Sequence, residues 1–197
     1  MDRHQLKELI LQSLEHERGG VQVYAAAVDA AVNEDLHEEW SEYLGQTRRH
    51  VQILERICKT FEIDPEEESP GRKIVQDLGA ALVAAMRDAQ SGRDPAAAQL
   101  VACECVTLAE TKDHADWELL SKCAENLPGD QGAALREACE EVEEQEDEHL
   151  YHTKGWAREL WLESLGLKAV LPPPEERKQV KTAIGAALAE KESERMR

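Results

Sequence analysis

Runs of β-branched residues are absent from this chain, and a single Phe accompanies four Trp and three Tyr, so strands have little to form on. Ala, Leu, Glu, Gln, Lys and Arg take their place, residues that lose least on entering a helix, and the expected fold class is all-α. Basic charge is also scarce: 23 Lys and Arg stand against 41 Asp and Glu, a net charge of −18. With no basic stripe to neutralise phosphates, no nucleic-acid partner is expected. The first twenty residues hold no apolar signal segment and no stretch reaches the length of a bilayer span, so no membrane partner is expected and the cytoplasm is the default location. The five cysteines, Cys58, Cys103, Cys105, Cys123 and Cys139, form no Cys-x-x-Cys pair, which argues against a zinc ribbon or a disulfide framework. Reduced thiols are expected, with Cys58, Cys103 and Cys139 on apolar stripes. Phosphate loops, nucleophile elbows and His-Glu-x-x-His zinc motifs are missing too.

What is present is helical periodicity. Ile10, Leu14, Glu17, Val21, Tyr24 and Val28 step by three and four, predicting a helix from about Arg3 to Ala31 with a carboxylate in its apolar stripe. Leu36, Trp40, Tyr43, Thr47, His50, Leu54, Ile57 and Phe61 predict a second, closed near Ile63-Asp64-Pro65. A polar connector leads to a shorter crossover helix along Ile74, Leu78, Leu82 and Met86, ending at Ser91-Gly92. Asp94-Pro95 starts the next, which carries Leu100, Cys103, Thr107, Glu110, His114 and Trp117 on one face to about Asn126. After Leu127-Pro128-Gly129, a further helix carries Leu135, Cys139, Val142, Glu146, His149, Thr153, Trp156 and Leu160 to about Gly166. Leu171-Pro172-Pro173-Pro174 is a stiff spacer before a tail helix with a thin stripe of Val180, Ile184 and Leu188.

The informative feature is where the polar stripe residues fall. Glu17 and His50 lie equally far from the Asn33-Glu34-Asp35 break, and Glu110 about as far from Leu127-Pro128-Gly129-Asp130 as Glu146 and His149 do. At 1.5 Å per residue each set stands roughly 24–30 Å from its turn, so two hairpins docked in parallel register would bring all five to one level. Glu146 and His149, three apart, share one helix face. Buried carboxylates without a matching Arg or Lys stripe need a cation, and a helical bundle supplies oxygen and imidazole donors to a divalent ion from several directions. His4, His16, His37 and His152 read as surface residues, Glu140 to Gln145 as a solvated face, and the four Trp as packing.

This pattern resembles the ferritin-like superfamily of di-iron carboxylate proteins, in particular its rubrerythrin-like members, over residues 1–168 but not over the proline-spaced tail at 169–197. The resemblance implies a four-helix bundle with a crossover helix between its second and third helices. Glu17 and Glu110 match the single carboxylate ligands, Glu146 and His149 one Glu-x-x-His pair, and His50 the histidine of the other. Thr47 stands where the family has a Glu, and His114, one turn after Glu110, is the candidate to fill that gap. The family likeness further implies iron, one or two ions, with manganese and zinc as alternatives, and oxidoreductase chemistry on oxygen or peroxide. Without a rubredoxin-like Cys-x-x-Cys module, electrons would come from a donor protein. Metal sequestration, or a metal-free interaction role for the helices, is the other reading, and a homo-oligomer is left open.

Overall fold

Side-chain caps open the first four helices in a computed structural model that describes all 197 residues. Asp2 accepts from the His4 and Gln5 amides and opens α1 (Arg3–Ala30), and Asn33 accepts from the Leu36 amide and opens α2 (Glu34–Thr60). Ser69 and Asp94 do the same for α3 (Pro70–Gln90) and α4 (Pro95–Glu125), each followed by a proline whose missing N–H costs nothing in the first turn. The helix α5 (Gly129–Ser164) follows a turn so tight that a Cβ on Gly132 would sit 1.9 Å from the Leu127 carbonyl oxygen. A single-turn helix α6 (Pro174–Arg177) and α7 (Ala183–Met196) complete an all-helical chain. No helix is long and apolar enough to cross a membrane.

The four long helices close a ring, α1 on α2, α2 on α5, α5 on α4 and α4 on α1, and α3 packs outside it against α1 and α4. The two hairpins do not dock in parallel register as the sequence reading expects. Gln99 at the start of α4 accepts from the Val32 and Asn33 amides at 2.6 and 2.7 Å, while Arg3 reaches Gln131 at the start of α5. The α1–α2 turn and the α4–α5 turn therefore lie at opposite ends. The polar residues still meet, because Glu17, His50, Glu110, Glu146 and His149 each fall within about three residues of their helix midpoints, and a midpoint keeps its level when a hairpin is inverted.

The apolar core is accordingly split in two. One half gathers Leu6, Ile10, Leu14, Ile53, Ile57, Leu120, Leu135 and Val142, the other Val23, Leu36, Trp40, Cys103, Val106, Trp156 and Leu160. Between them every long helix turns polar at the same height, with Glu17, Thr47, His50, Glu110, Asp113, Glu146 and His149 all buried.

Two apolar stripes face differently from the expectation. On α3, Val75, Val83 and Met86 are buried while Ile74 and Leu78 are exposed. The cause is Gly79: a Cβ there would stand 3.6 Å from the Gly19 Cα, so α3 crosses α1 backbone to backbone and presents the glycine side inward. On α7, Val180 just before it is buried, but Ile184 and Leu188 face outward and Ala189 and Ser193 face in. The tail docks on its own bundle through charge rather than that stripe. Glu159 on α5, fully buried, accepts from Ser193, Arg158, Arg197 and the Val170 amide, and Arg158 pairs with Glu175 through two nitrogens at 2.8 and 3.0 Å. Four of the five cysteines are buried, Cys123 is partly so, and all are free thiols.

Candidate metal centre

Glu17 from α1 and His50 from α2 meet Glu146 from α5, and Glu146 in turn meets Glu110 from α4 and His149 one turn along α5. The His50 Nδ1 lies 3.0 Å from Glu146 Oε1 and 3.4 Å from Glu17 Oε1, while the His149 Nδ1 lies 3.5 Å from Glu110 Oε2 and 3.8 Å from Glu146 Oε1. The result is two sets of three donors, Glu17–His50–Glu146 and Glu110–Glu146–His149, each set with its ligand atoms within 4.8 Å of one another. Glu146 belongs to both. The two imidazoles stack with ring centres 5.9 Å apart.

Each imidazole is aimed by its far nitrogen. The His50 Nε2 bonds Gln145 Oε1 at 2.7 Å and the His149 Nε2 bonds Gln46 Oε1 at 2.6 Å. With Nε2 donating to an amide oxygen, Nδ1 is the nitrogen that faces inward and offers a lone pair in the neutral ring, the usual way a ligating histidine is oriented. Trp117 donates its indole N–H to Glu17 Oε1 at 2.8 Å, and the Tyr24 and Tyr43 rings pack on His149 with centres 5.7 and 4.1 Å away. Gln46, Gln145 and the polar role of Trp117 escape the sequence reading, because a glutamine at a stripe's edge and a tryptophan in it look like a solvated face and packing.

What the atoms lack is as telling as what they touch. Glu17 Oε2, His50 Nδ1, Glu110 Oε2 and both oxygens of Glu146 are buried without a hydrogen-bond partner. No Lys or Arg side chain pairs with any of these carboxylates; their only ionic neighbours are the two histidines. Carboxylates in such a place hold protons or a cation. Burial pushes the Glu110 carboxyl up to about 8, with the Glu17 charge adding to it, and raises Glu146 for the same reason. Burial lowers His149 to about 4. For His50, burial opposes the charged form but Glu17 and Glu146 overcome it and raise the imidazole well above its usual range. Buried donors, unpartnered and converging from four helices, fit a metal ion: these clusters can hold one.

Asp113 is the residue the sequence reading passes over. It is buried with Oδ1 unpartnered, and burial followed by the charges of Glu146, Glu17 and Glu110 raises its carboxyl well above the usual range. The signal was available: Glu110-x-x-Asp113 has the same i, i+3 spacing as Glu146-x-x-His149. His114, the candidate expected to fill the gap at Thr47, is instead one fifth exposed and bonds Asp147 at 2.9 Å, because a step of four carries it past the inward line of Glu110, Asp113 and Trp117. Thr47 is buried and donates its hydroxyl proton to the Tyr43 carbonyl, so that turn brings a neutral hydroxyl and no carboxylate to the centre. Thr107 likewise bonds its own helix, at Cys103 O.

Two histidines read as surface residues are not at the surface. His152 is buried, with Nδ1 2.7 Å from Glu39 Oε1 and 3.0 Å from the Tyr43 hydroxyl, because α2 and the tail both cover that flank of α5. His16 is half-buried against the Ala109 carbonyl. His4 and His37 are exposed. The chain matches no known protein-family model, no curated protein and no solved structure.

Proposed function

We propose that this protein is a ferritin-like metalloprotein whose centre holds two divalent ions, most naturally iron, with Glu146 shared between them. One observation carries the reading: Glu146 is buried with both oxygens unpartnered, and a His–Glu pair flanks it on either side. Glu17 and His50 would hold one ion and Glu110 and His149 the other, with Asp113 as the reserve carboxylate for the one that Thr47 does not provide. Mixed carboxylate and imidazole donors suit iron, manganese and zinc, and they leave coordination positions free for a small ligand.

Bound reduced iron would supply electrons to dioxygen or peroxide, which makes the protein an oxidoreductase of the non-haem iron kind. The chain's own contribution is to aim His50 and His149 through Gln145 and Gln46 and to surround the centre with two apolar half-cores. Such a centre would draw electrons from a separate donor, since no paired thiols lie nearby.

The test is metal analysis of purified protein together with peroxide and dioxygen consumption by the iron-loaded form. Two equivalents of metal, falling below half an equivalent in Glu146→Ala, together with turnover, is the expected result. Metal bound without turnover would replace the enzymatic reading with sequestration. No metal uptake at all would overturn both.

A further inference from the structure

Three large apolar side chains stand in water on one side of the molecule. Ile74 and Leu78, one turn apart on α3, are 61% and 56% exposed, and Leu108 on α4 is 63% exposed. Leu78 and Leu108 are the lips of a groove of about 240 Å³ between α3 and α4, with Val75, Ala81, Leu82 and Ala109 among its walls. A single exposed leucine needs no explanation, whereas a contiguous apolar patch marks a contact surface. The bundle does not use it, since α3 is anchored through Val75, Val83 and Met86.

Charge indicates what covers the patch. The chain carries −18, which holds copies apart, yet α3 sets Arg72, Lys73 and Arg87 against Asp77 and Asp88. The ionisable residues of the groove are His16, bonded to the Ala109 carbonyl, and Lys112, paired with Asp116. The outward stripe of α3 is Ile74, Leu78, Ala81 and Ala85, all exposed at heptad-like spacing, and the α3 charges are ordered about Ala81 along one flank of it. Lys73 and Asp77 stand eight and four residues before Ala81, Arg87 and Asp88 six and seven after it. When two such helices lie antiparallel across a twofold axis at Ala81, residues before the axis meet residues after it. Lys73 then comes level with Asp88 of the second copy to within about 1.5 Å of rise, and Asp77 with Arg87 of the second copy to within about 3 Å. Leu78 comes over Ala85 of the second copy, large against small. Lys73 and Asp77, paired with each other in the single chain, are both exposed and free to make these contacts.

We propose that the outward face of α3, widened by Leu108, is a homodimer interface on which a second copy of this chain packs its own α3 antiparallel. The patch is self-complementary: it offers opposite charges and unequal side chains at matching distances from one point, which is what a twofold contact needs. It stands apart from the metal reading, because none of the proposed donors lines the groove. One helix and one groove lip from each copy make a small contact, near the lower bound of about 1,200 Å² for stable interfaces, so association in roughly the micromolar range is expected.

Sedimentation equilibrium of the chelator-stripped full chain, from about 1 to 200 μM, tests it. The mass is expected to rise from 22.1 kDa toward twice that value. Leu78→Glu and Leu108→Glu, both at exposed positions and so expected to keep the helix content of the parent, should each weaken association about tenfold or more by placing a charge in an apolar contact. Asp77→Arg should weaken it roughly fivefold, and Asp77→Arg combined with Arg87→Asp should restore it. A mass of 22.1 kDa at every concentration overturns the proposal, as does a dimer indifferent to both Leu78→Glu and Leu108→Glu. Asp77→Arg without loss, or a loss that the paired exchange does not recover, overturns it too.

Discussion

Replacing Glu146 by glutamine should leave the metal-free protein at least as stable as the parent and remove its response to metal. The side chain keeps its size but loses its charge, in a place where burial raises the carboxyl's proton affinity and where Glu17, Glu110 and Asp113 crowd the same space. An amide there no longer has to be held protonated or repelled, so metal-free stability should stay within about 1 kcal/mol of the parent or rise above it. In the parent, an ion present at a hundred times its dissociation constant stabilises by about 2.7 kcal/mol. For a chain of this size that is a rise of roughly 5–10 °C in Tm for each ion bound. Because Glu146 serves both donor sets, one substitution should erase the whole rise rather than half of it. The assay is thermal unfolding of parent and Glu146→Gln, each stripped with chelator and then titrated with manganese. If the variant unfolds several degrees lower without metal and still gains the parent's increment with it, Glu146 is a structural residue and the argument from unpartnered oxygens is wrong.

Three further outcomes follow from the same geometry. Without metal, stability should fall as pH rises from about 6.5 to 8: an unfolded Glu110 ionises near its ordinary value of 4.5 and the folded one only at about 8, while His149, lowered to about 4 from an ordinary 6.5, works in the opposite sense and offsets that loss below pH 6.5. The loss over that window should reach about 2 kcal/mol in chemical unfolding of stripped protein, and a flat profile from pH 6.5 to 8 would contradict it. Trp117→Phe removes the donor to Glu17 while keeping an aromatic ring, and should weaken metal binding about 10- to 100-fold by competition with a chelating dye, with little change in helix content. Glu159→Gln weakens the buried acceptor of Ser193, Arg158, Arg197 and the Val170 amide, and should expose the tail to limited proteolysis after residue 165 while leaving residues 3–164 resistant.

The helices and the centre were legible for one reason: each is written in a local period. Capping residues such as Asn33 and Asp94 and the turn at Pro128-Gly129 act on their own neighbours, so the observed helix limits follow closely from spacing. Glu17, His50, Glu110, Glu146 and His149 stood out because a charged or imidazole side chain in an apolar stripe contradicts the pattern around it, and their mid-helix positions brought them together whichever way the hairpins docked.

Interactions between helices were decided only by the tertiary structure. A periodic sequence specifies that a helix has an apolar side but not which partner covers it, so α3 could turn Ile74 and Leu78 outward once Gly79 met Gly19. Whether two hairpins run parallel or antiparallel depends on contacts between their ends, such as Gln99 with the Val32 and Asn33 amides, which no window along the chain contains. The same holds for Asp113 inside the centre, His114 outside it, and His152 buried under α2 and the tail. A step of three or four residues both reads as the same stripe, and only the direction from which a neighbouring helix approaches decides which of the two turns inward.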